Sequence, residues 1–167
     1  MIEVFFNSTG YYITGPNIEI AKYVTPLKIE GKVILTDLQH LYSILSMTLI
    51  ELMANPSSKE DITIYNDSRI IEDMKGVTTG IDDLCVKTVR YLRRKVIPSI
   101  KGVIFFRKKS SDYINNKIEF GQKTLIGEID DSIKNREIAK IEQAIADYNQ
   151  KNKRDRVQNF KRDWFGR

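Results

Sequence analysis

A single cysteine, Cys85, among 167 residues excludes an intrachain disulfide and any zinc centre built on cysteines. Histidine is equally scarce, with His40 alone. No apolar run approaches the roughly 18–20 residues needed to span a bilayer. The first residues, MIEVFF, show neither a basic leader nor a small-residue cleavage site, so no secretory signal is expected. Internal repeats and low-complexity segments are also missing. These absences point to an intracellular, cytoplasmic protein without membrane association. In that compartment the glycosylation pattern Asn7-Ser8-Thr9 carries no weight.

What is present is ordinary for a globular domain: 41% hydrophobic and 29% charged residues, in a chain long enough for one core and an appendage. The net charge of +5 is unevenly placed. Residues 150–167 carry seven Lys or Arg and two Asp, which leaves twenty charges of each sign in the preceding 149 residues. A pI near 9.2 therefore describes a basic tail on a neutral body. The body does not advertise nucleic-acid binding by charge alone.

MIEVFFNSTG reads as a strand ended by turn-forming residues. The β-branched and aromatic stretch YYITGPNIEIAKYVTPLKIEGKVILT, broken by Gly-Pro, Thr-Pro and Glu-Gly, predicts two more. The period then changes. Leu38, Leu41, Leu45, Leu49 and Leu52 recur at helical spacing, with Thr36 or Asp37 as cap. DITIYNDSRIIEDMKG predicts a buried strand running into a short helix, with Asp67 at the junction. A helix follows, with Asp82 and Asp83 in its first turn and Arg93, Arg94 and Lys95 near its end, the order the helix dipole favours. KGVIFFRKK predicts a fifth strand, and SSDYINNKIEFGQKTL a short helix capped by Ser110 or Ser111. Ile129, Ile133, Ile138, Ile141, Ile145 and Tyr148 mark one side of a longer last helix.

Three consecutive strands make an antiparallel meander, and a strand–helix–strand–helix–strand run requires crossovers. The expected class is therefore α/β or α+β: a three-layer domain with a mixed five-stranded sheet flanked by helices. Residues 1–127 form that domain, 128–149 a C-terminal helical extension, and 150–167 a basic aromatic tail.

This order, together with ITIYNDSRIIEDMKG, resembles the ribonuclease H-like superfamily, type 1 ribonuclease H in particular. There, a strand of the form hhhYxDSxxhhxxhxG (h apolar) delivers an Asp at its end and opens a short helix. VIFFRKKSSDYINNKI is similar to the family's last strand and following helix, where the pattern is NxxADxLA. Asp112 takes the place of its Asp, while Lys109 replaces its Asn. The resemblance covers roughly residues 1–120.

It implies a site of three Asp and one Glu holding two Mg²⁺ ions about 3.5–4 Å apart, which clamp the attacking and leaving oxygens of a phosphodiester. Asp67 and Asp112 match two of the four. The first-strand Asp is replaced by Asn7, and the first-helix Glu by His40, a ligand better suited to zinc or iron. Two carboxylates would face four positive charges, which argues against paired Mg²⁺ and leaves at most weak metal binding at Asp67 and Asp112. Glu3 shares a strand face with Asn7 but lies about 13 Å away. Asp37 and Glu72 are nearby acids, and neither sits at a vacated position.

Each residue also has a plain structural reading. Asp67 could cap the helix starting at Ser68, Asp112 could be a first-turn helix acid, and a lone histidine is usually a satisfied polar residue. Arg90, Arg93 and Arg94 share a helix face, and Arg107, Lys108 and Lys109 open the Asp112 helix; both clusters suit phosphate contact or a solvated surface. In the tail, Phe160, Trp164 and Phe165 alternate with Lys161 and Arg162, a pattern suited to base stacking or to docking a protein.

The reading that follows is a degenerate, non-catalytic ribonuclease H-like protein, a pseudoenzyme needing no cofactor. Its expected partner is nucleic acid (an RNA–DNA hybrid or RNA), or a protein in a nucleic-acid-processing complex. Two alternatives stay open. One is an active nuclease using Mg or Mn to cleave RNA in hybrids. The other is a structural adaptor that docks a partner through its tail. The apolar face of the last helix could serve a core or a dimer.

Overall fold

The computed structural model describes residues 1–55, 60–76, 80–127 and 139–144. The chain opens with the expected meander of β1 (Ile2–Asn7), β2 (Gly10–Gly15) and β3 (Ile18–Tyr23). A small hairpin follows, β4 (Lys28–Ile29) and β5 (Lys32–Val33), forming a separate two-stranded sheet. Its turn holds Glu30 at φ 53° and Gly31 at φ 78°, the left-handed pair that a tight hairpin turn demands. Strands of two residues are too short to carry a period, so only the Glu-Gly break is visible in the sequence.

Helix α1 (Asp37–Ala54) begins with a reciprocal cap. Thr36 Oγ1 accepts from the Gln39 backbone N–H at 3.2 Å, and Gln39 Oε1 accepts from the Thr36 N–H at 3.0 Å. Strand β6 (Ile62–Asn66) leads into α2 (Ile70–Lys75). Helix α3 (Asp83–Tyr91) is capped by Asp82, which accepts from the Cys85 N–H at 2.9 Å. The helical path then widens to a π turn over Leu92–Val96 and tightens to a 3-10 turn over Ile97–Ser99, where Pro98 ends it. Strand β7 (Ile104–Lys108) and α4 (Ser111–Leu125) complete the body. Helix α4 covers the expected stretch over fifteen residues, and of the two candidate caps Ser110 is the one used.

The main sheet runs β3-β2-β1-β6-β7. Strand β1 pairs antiparallel with β2 and parallel with β6, and β6 pairs parallel with β7. The protein is thus an α+β domain with a five-stranded mixed sheet flanked by helices. Alternation sorts β1 between two cores. Ile2, Val4 and Phe6 face α1, α2 and α3, packing with Tyr42, Leu45, Leu49, Ile70, Val89 and Leu92. Phe5 faces the other way, packing with Tyr12 and Ala21 against Ile114 and Ile118 of α4. Gly121 lets α4 approach β2, because a Cβ there would run into the Tyr12 ring.

Residues 139–144 are helical, and Ile141 lines a cavity of about 700 Å³ that also touches Tyr23, Leu27, Met47 and Ile50. The rest of the expected last helix, with Ile129, Ile133, Ile138, Ile145 and Tyr148, lies outside the described residues, as does the tail 150–167. Among the described residues, no helix is long and apolar enough to cross a membrane.

Candidate functional site

Because β1, β6 and β7 are parallel, their C-terminal ends share one edge of the sheet. Strand order reverses between β1 and β6, with β2 and β3 to one side and β7 to the other. The crevice outside such a switch point is where open α/β sheets place ligands.

Asn7 ends β1, and its amide uses both its oxygen and its nitrogen. Oδ1 accepts from the Thr9 N–H at 2.9 Å and from Thr9 Oγ1 at 2.7 Å, while Nδ2 donates to Asn115 Oδ1 of α4 at 2.9 Å. The Asn side chain therefore folds the β1–β2 turn and ties it to α4. His40, in the first turn of α1, is buried, and its Nε2–H donates to the Ser8 carbonyl at 2.8 Å. Of its two readings, the satisfied polar residue is the one observed. With Nε2 carrying that hydrogen, the nitrogen has no lone pair to offer a metal.

Asn66 ends β6 and is a residue the sequence reasoning passed over. It is completely buried; Nδ2 donates to the Phe6 carbonyl at 2.7 Å, and Oδ1 accepts from the Ser68 N–H at 2.9 Å. Its own carbonyl accepts from the Lys109 N–H at 3.2 Å. One side chain and its peptide thus join β1, the start of α2 and the end of β7. An Asn just before Asp-Ser at a strand end is the available signal, since Asn favours such turns. Ser68 Oγ accepts from the Ile70 N–H at 3.2 Å. With Asn66 and Ser68 serving the turn, Asp67 is not the cap. Its side chain is exposed and has no hydrogen-bond or ion-pair partner among the described residues. Asp112 is exposed in the first turn of α4, where Ser110 holds the cap by accepting from the Tyr113 N–H at 3.3 Å. It lies one turn before Asn115, the residue bonded to Asn7.

The structure thus brings Asn7, Asp67 and the Asp112 turn to one edge, with His40 behind the β1–β2 turn. Two Mg²⁺ ions do not fit this donor set: Asn7 and His40 are committed to protein partners, leaving two carboxylates against four positive charges. Among the described residues, no group of three or more His, Cys, Asp or Glu is placed to hold a metal ion. Glu72 instead pairs with Lys108 at 3.3 Å, an exposed contact of small energetic weight.

The basic residues divide by duty. Arg93 Nη2 donates to the carbonyls of Asp73 at 2.8 Å and Gly76 at 2.7 Å, closing the C-terminal end of α2. Arg90 and Arg94 are exposed, on the rod of α3 and its π turn. Arg107, Lys108 and Lys109 are exposed at the end of β7, and Lys109 Nζ lies 5.4 Å from the centre of the Tyr113 ring. Arg93, Arg107, Lys108, Lys109 and Lys75 line an open cavity of about 1000 Å³ along β7.

Beneath the Asp67 turn lies a buried network absent from the sequence reading. Asp73 Oδ2 accepts from the Tyr42 hydroxyl at 2.9 Å and from Arg69 Nε at 3.2 Å, and Asp73 Oδ1 accepts from Arg69 Nη2 at 3.2 Å. Burial, then the Asp73 carboxylate, pushes the Tyr42 hydroxyl up, while the hydrogen bond to Asp73 raises Arg69 further. The Arg–Asp spacing of four residues on a helix was the legible part of it. Its role is to hold α2 on α1. The tail residues Phe160, Lys161, Arg162, Trp164 and Phe165 lie outside the described residues. No known protein family, curated protein or solved structure matches this chain.

Proposed function

We propose that the protein is a non-catalytic, ribonuclease H-like module that binds nucleic acid, RNA–DNA hybrid or RNA, across the crevice at the strand ends. The fold is compatible with this reading: a central β1, an antiparallel meander on one side, two parallel strands on the other, and crossover helices between them. One observation carries it. At the position where the resemblance implies a metal-bridging carboxylate, Asn7 uses its NH₂ to hold Asn115, a bond a carboxylate could not donate. Arg107, Lys108 and Lys109 are exposed at the end of β7, one strand beyond β6 on the same sheet edge. Such an edge suits phosphate contact more than metal-assisted cleavage. Asp67 and Asp112 would remain as exposed acids that shape where phosphates can lie.

The test is binding and cleavage of a labelled RNA–DNA hybrid, with Mg²⁺ or Mn²⁺ and without. The expected outcome is binding that weakens steeply with salt, with the log–log slope reduced by about one in Arg107→Ala or Lys109→Ala. Cleavage should not exceed that of Asp67→Asn. Robust cleavage abolished by Asp67→Asn would overturn the reading in favour of a metal-dependent nuclease. Absence of salt-dependent binding to hybrid, duplex RNA and single strands would overturn it in favour of an adaptor.

A further inference from the structure

Helix α4 lies over β1, β2 and β3 and reaches β6, so among the described residues no helix covers β7 on that face. The alternation of β7 shows which residues stand there. Phe106 is buried in the core beneath α1–α3, so Val103, Phe105 and Arg107 point to the α4 side. Val103 is 58% exposed and Phe105 41%. On β6, Tyr65 belongs to this same face: it packs against the α4-side core and stacks on Phe5 with ring centres 5.1 Å apart. Tyr65 pairs across the sheet with Arg107, and Thr63 with Phe105, so Phe105 and Tyr65 are diagonal neighbours. Tyr113 of α4, 38% exposed, meets Tyr65 edge-on at 6.4 Å.

Cations border these rings. Lys109 and Lys117 lie 5.4 and 5.7 Å from the Tyr113 ring centre, and Arg107 is exposed beside Tyr65. Glu3, Asp67 and Asp112 are the acids nearby. Burial and then the Glu3 charge raise the Tyr65 hydroxyl. Asp67 follows Asn66, whose carbonyl accepts from the Lys109 N–H, and Asp112 sits in the first turn of α4. Exposed aromatic rings alternating with cations offer two things an unpaired nucleotide needs: a π-face for its base and a positive charge for its phosphate. A duplex, whose bases are already stacked, cannot use the first.

We infer that the open β6–β7 face beside α4 is a stacking platform for single-stranded nucleic acid, with Phe105 and Tyr113 taking bases and Arg107, Lys109 and Lys117 taking phosphates. The platform rests on the proposed nucleic-acid role for its ligand class, and names a single strand and a second face. An apolar protein segment could cover the same rings, but three cations beside them favour a polyanion.

The experiment uses the full chain with two probes, an RNA–DNA hybrid and an unstructured single-stranded oligonucleotide carrying a base whose fluorescence is quenched on stacking. Expected is quenching on binding, with single-strand affinity falling on the order of tenfold in Phe105→Ala and again in Tyr113→Ala. Hybrid affinity should stay within about twofold in both variants. Both rings are substantially exposed, and matching far-ultraviolet circular dichroism would certify the fold. Tyr113→Phe should restore binding, because the ring and not the hydroxyl is required. Unchanged single-strand binding in both alanine variants would overturn the platform while leaving the hybrid-binding role intact. Loss of binding to both probes in wild type would overturn both. Concentration-dependent self-association of wild type, abolished in Phe105→Ala and without quenching, would assign the face to a second copy of this chain and overturn the platform.

Discussion

Gly121 gives the sharpest test of how α4 is held, and α4 carries Asp112, Tyr113, Asn115 and Lys117. A Cβ placed on Gly121 falls into the Tyr12 ring, closest to Cγ and Cδ1, and even Cδ2 would be only 2.8 Å away. Real Cβ contacts stay beyond 3.0 Å, so either the ring or the helix must move. The ring has little freedom: Tyr12 is 6% exposed and its hydroxyl donates to Glu19 Oε2 at 2.9 Å. Two effects oppose each other in Gly121→Ala. Alanine favours the helix by about 1 kcal/mol. Overpacking a tight contact costs about 1–3 kcal/mol. With a rigid ring and backbone on either side, the cost should sit at the upper end, for a net loss of about 1–2 kcal/mol. Gly121→Val should lose more.

Urea unfolding at constant slope measures this directly, and the pairing can be isolated. In Tyr12→Leu the obstructing ring is gone, so adding Gly121→Ala should be neutral or stabilising by up to about 1 kcal/mol. Equal or greater stability of Gly121→Ala in the wild-type background would refute the close approach of α4 and β2. So would an unchanged effect of Gly121→Ala in Tyr12→Leu.

Arg93→Ala should lower stability by about 1–2 kcal/mol through its two lost carbonyl bonds, whereas Arg90→Ala and Arg94→Ala should stay within about 0.5 kcal/mol. Urea midpoints separate the three, and equal midpoints would contradict the assignment of Arg93 to the end of α2. Asp82→Ala removes the α3 cap and should cost about 1 kcal/mol at neutral pH. Burial pushes the Asp82 carboxyl up, but hydrogen bonds from the Cys85 backbone and thiol and from Gln39 outweigh it, holding the carboxyl below its usual range. Its contribution is therefore present above about pH 4 and lost as pH falls through the lower folded value. The stability gap between wild type and Asp82→Ala should close in acid; a constant gap would refute the linkage. Cys85 is buried and its thiol is pushed up by burial and by Asp82. Native protein should resist alkylation at mildly alkaline pH and react fully in urea, and rapid native labelling would contradict that burial.

Much of the fold was written in local signals. The leucine stripe of α1, the Thr36–Gln39 cap, the Asp82 cap and the Ser110 cap each depend on residues within a turn or two, and all are visible in the chain. The site was legible only as a set of positions. Asn7 meets Asn115 across 108 residues, and His40 meets a backbone carbonyl 32 residues away, a partner with no side-chain signature. Arg93 illustrates a different limit. Regular helical spacing puts it on one face with Arg90 and Arg94, but the π turn over Leu92–Val96 intervenes. Leu92 and Val96 stay buried, while the Arg93 guanidinium reaches the end of α2. No helical period contains that contact.

The electrostatics of the strand ends explain why asparagine suits position 7. A carboxylate there could still accept from Thr9, and Asn115 could turn its amide to donate, so packing alone does not forbid it. Charge does more to exclude it. Asp67 and Asp112 already stand exposed at this edge, and a third carboxylate would add repulsion that only bound cations could relieve. Two of the cations at the end of β7 are already engaged, Lys108 with Glu72 and Lys109 with the Tyr113 ring. A neutral Asn7 avoids that demand and gains a bond that clamps α4 to the β1–β2 turn. An edge built this way keeps its shape through hydrogen bonds between neutral groups, with no charge at position 7 for a metal to balance.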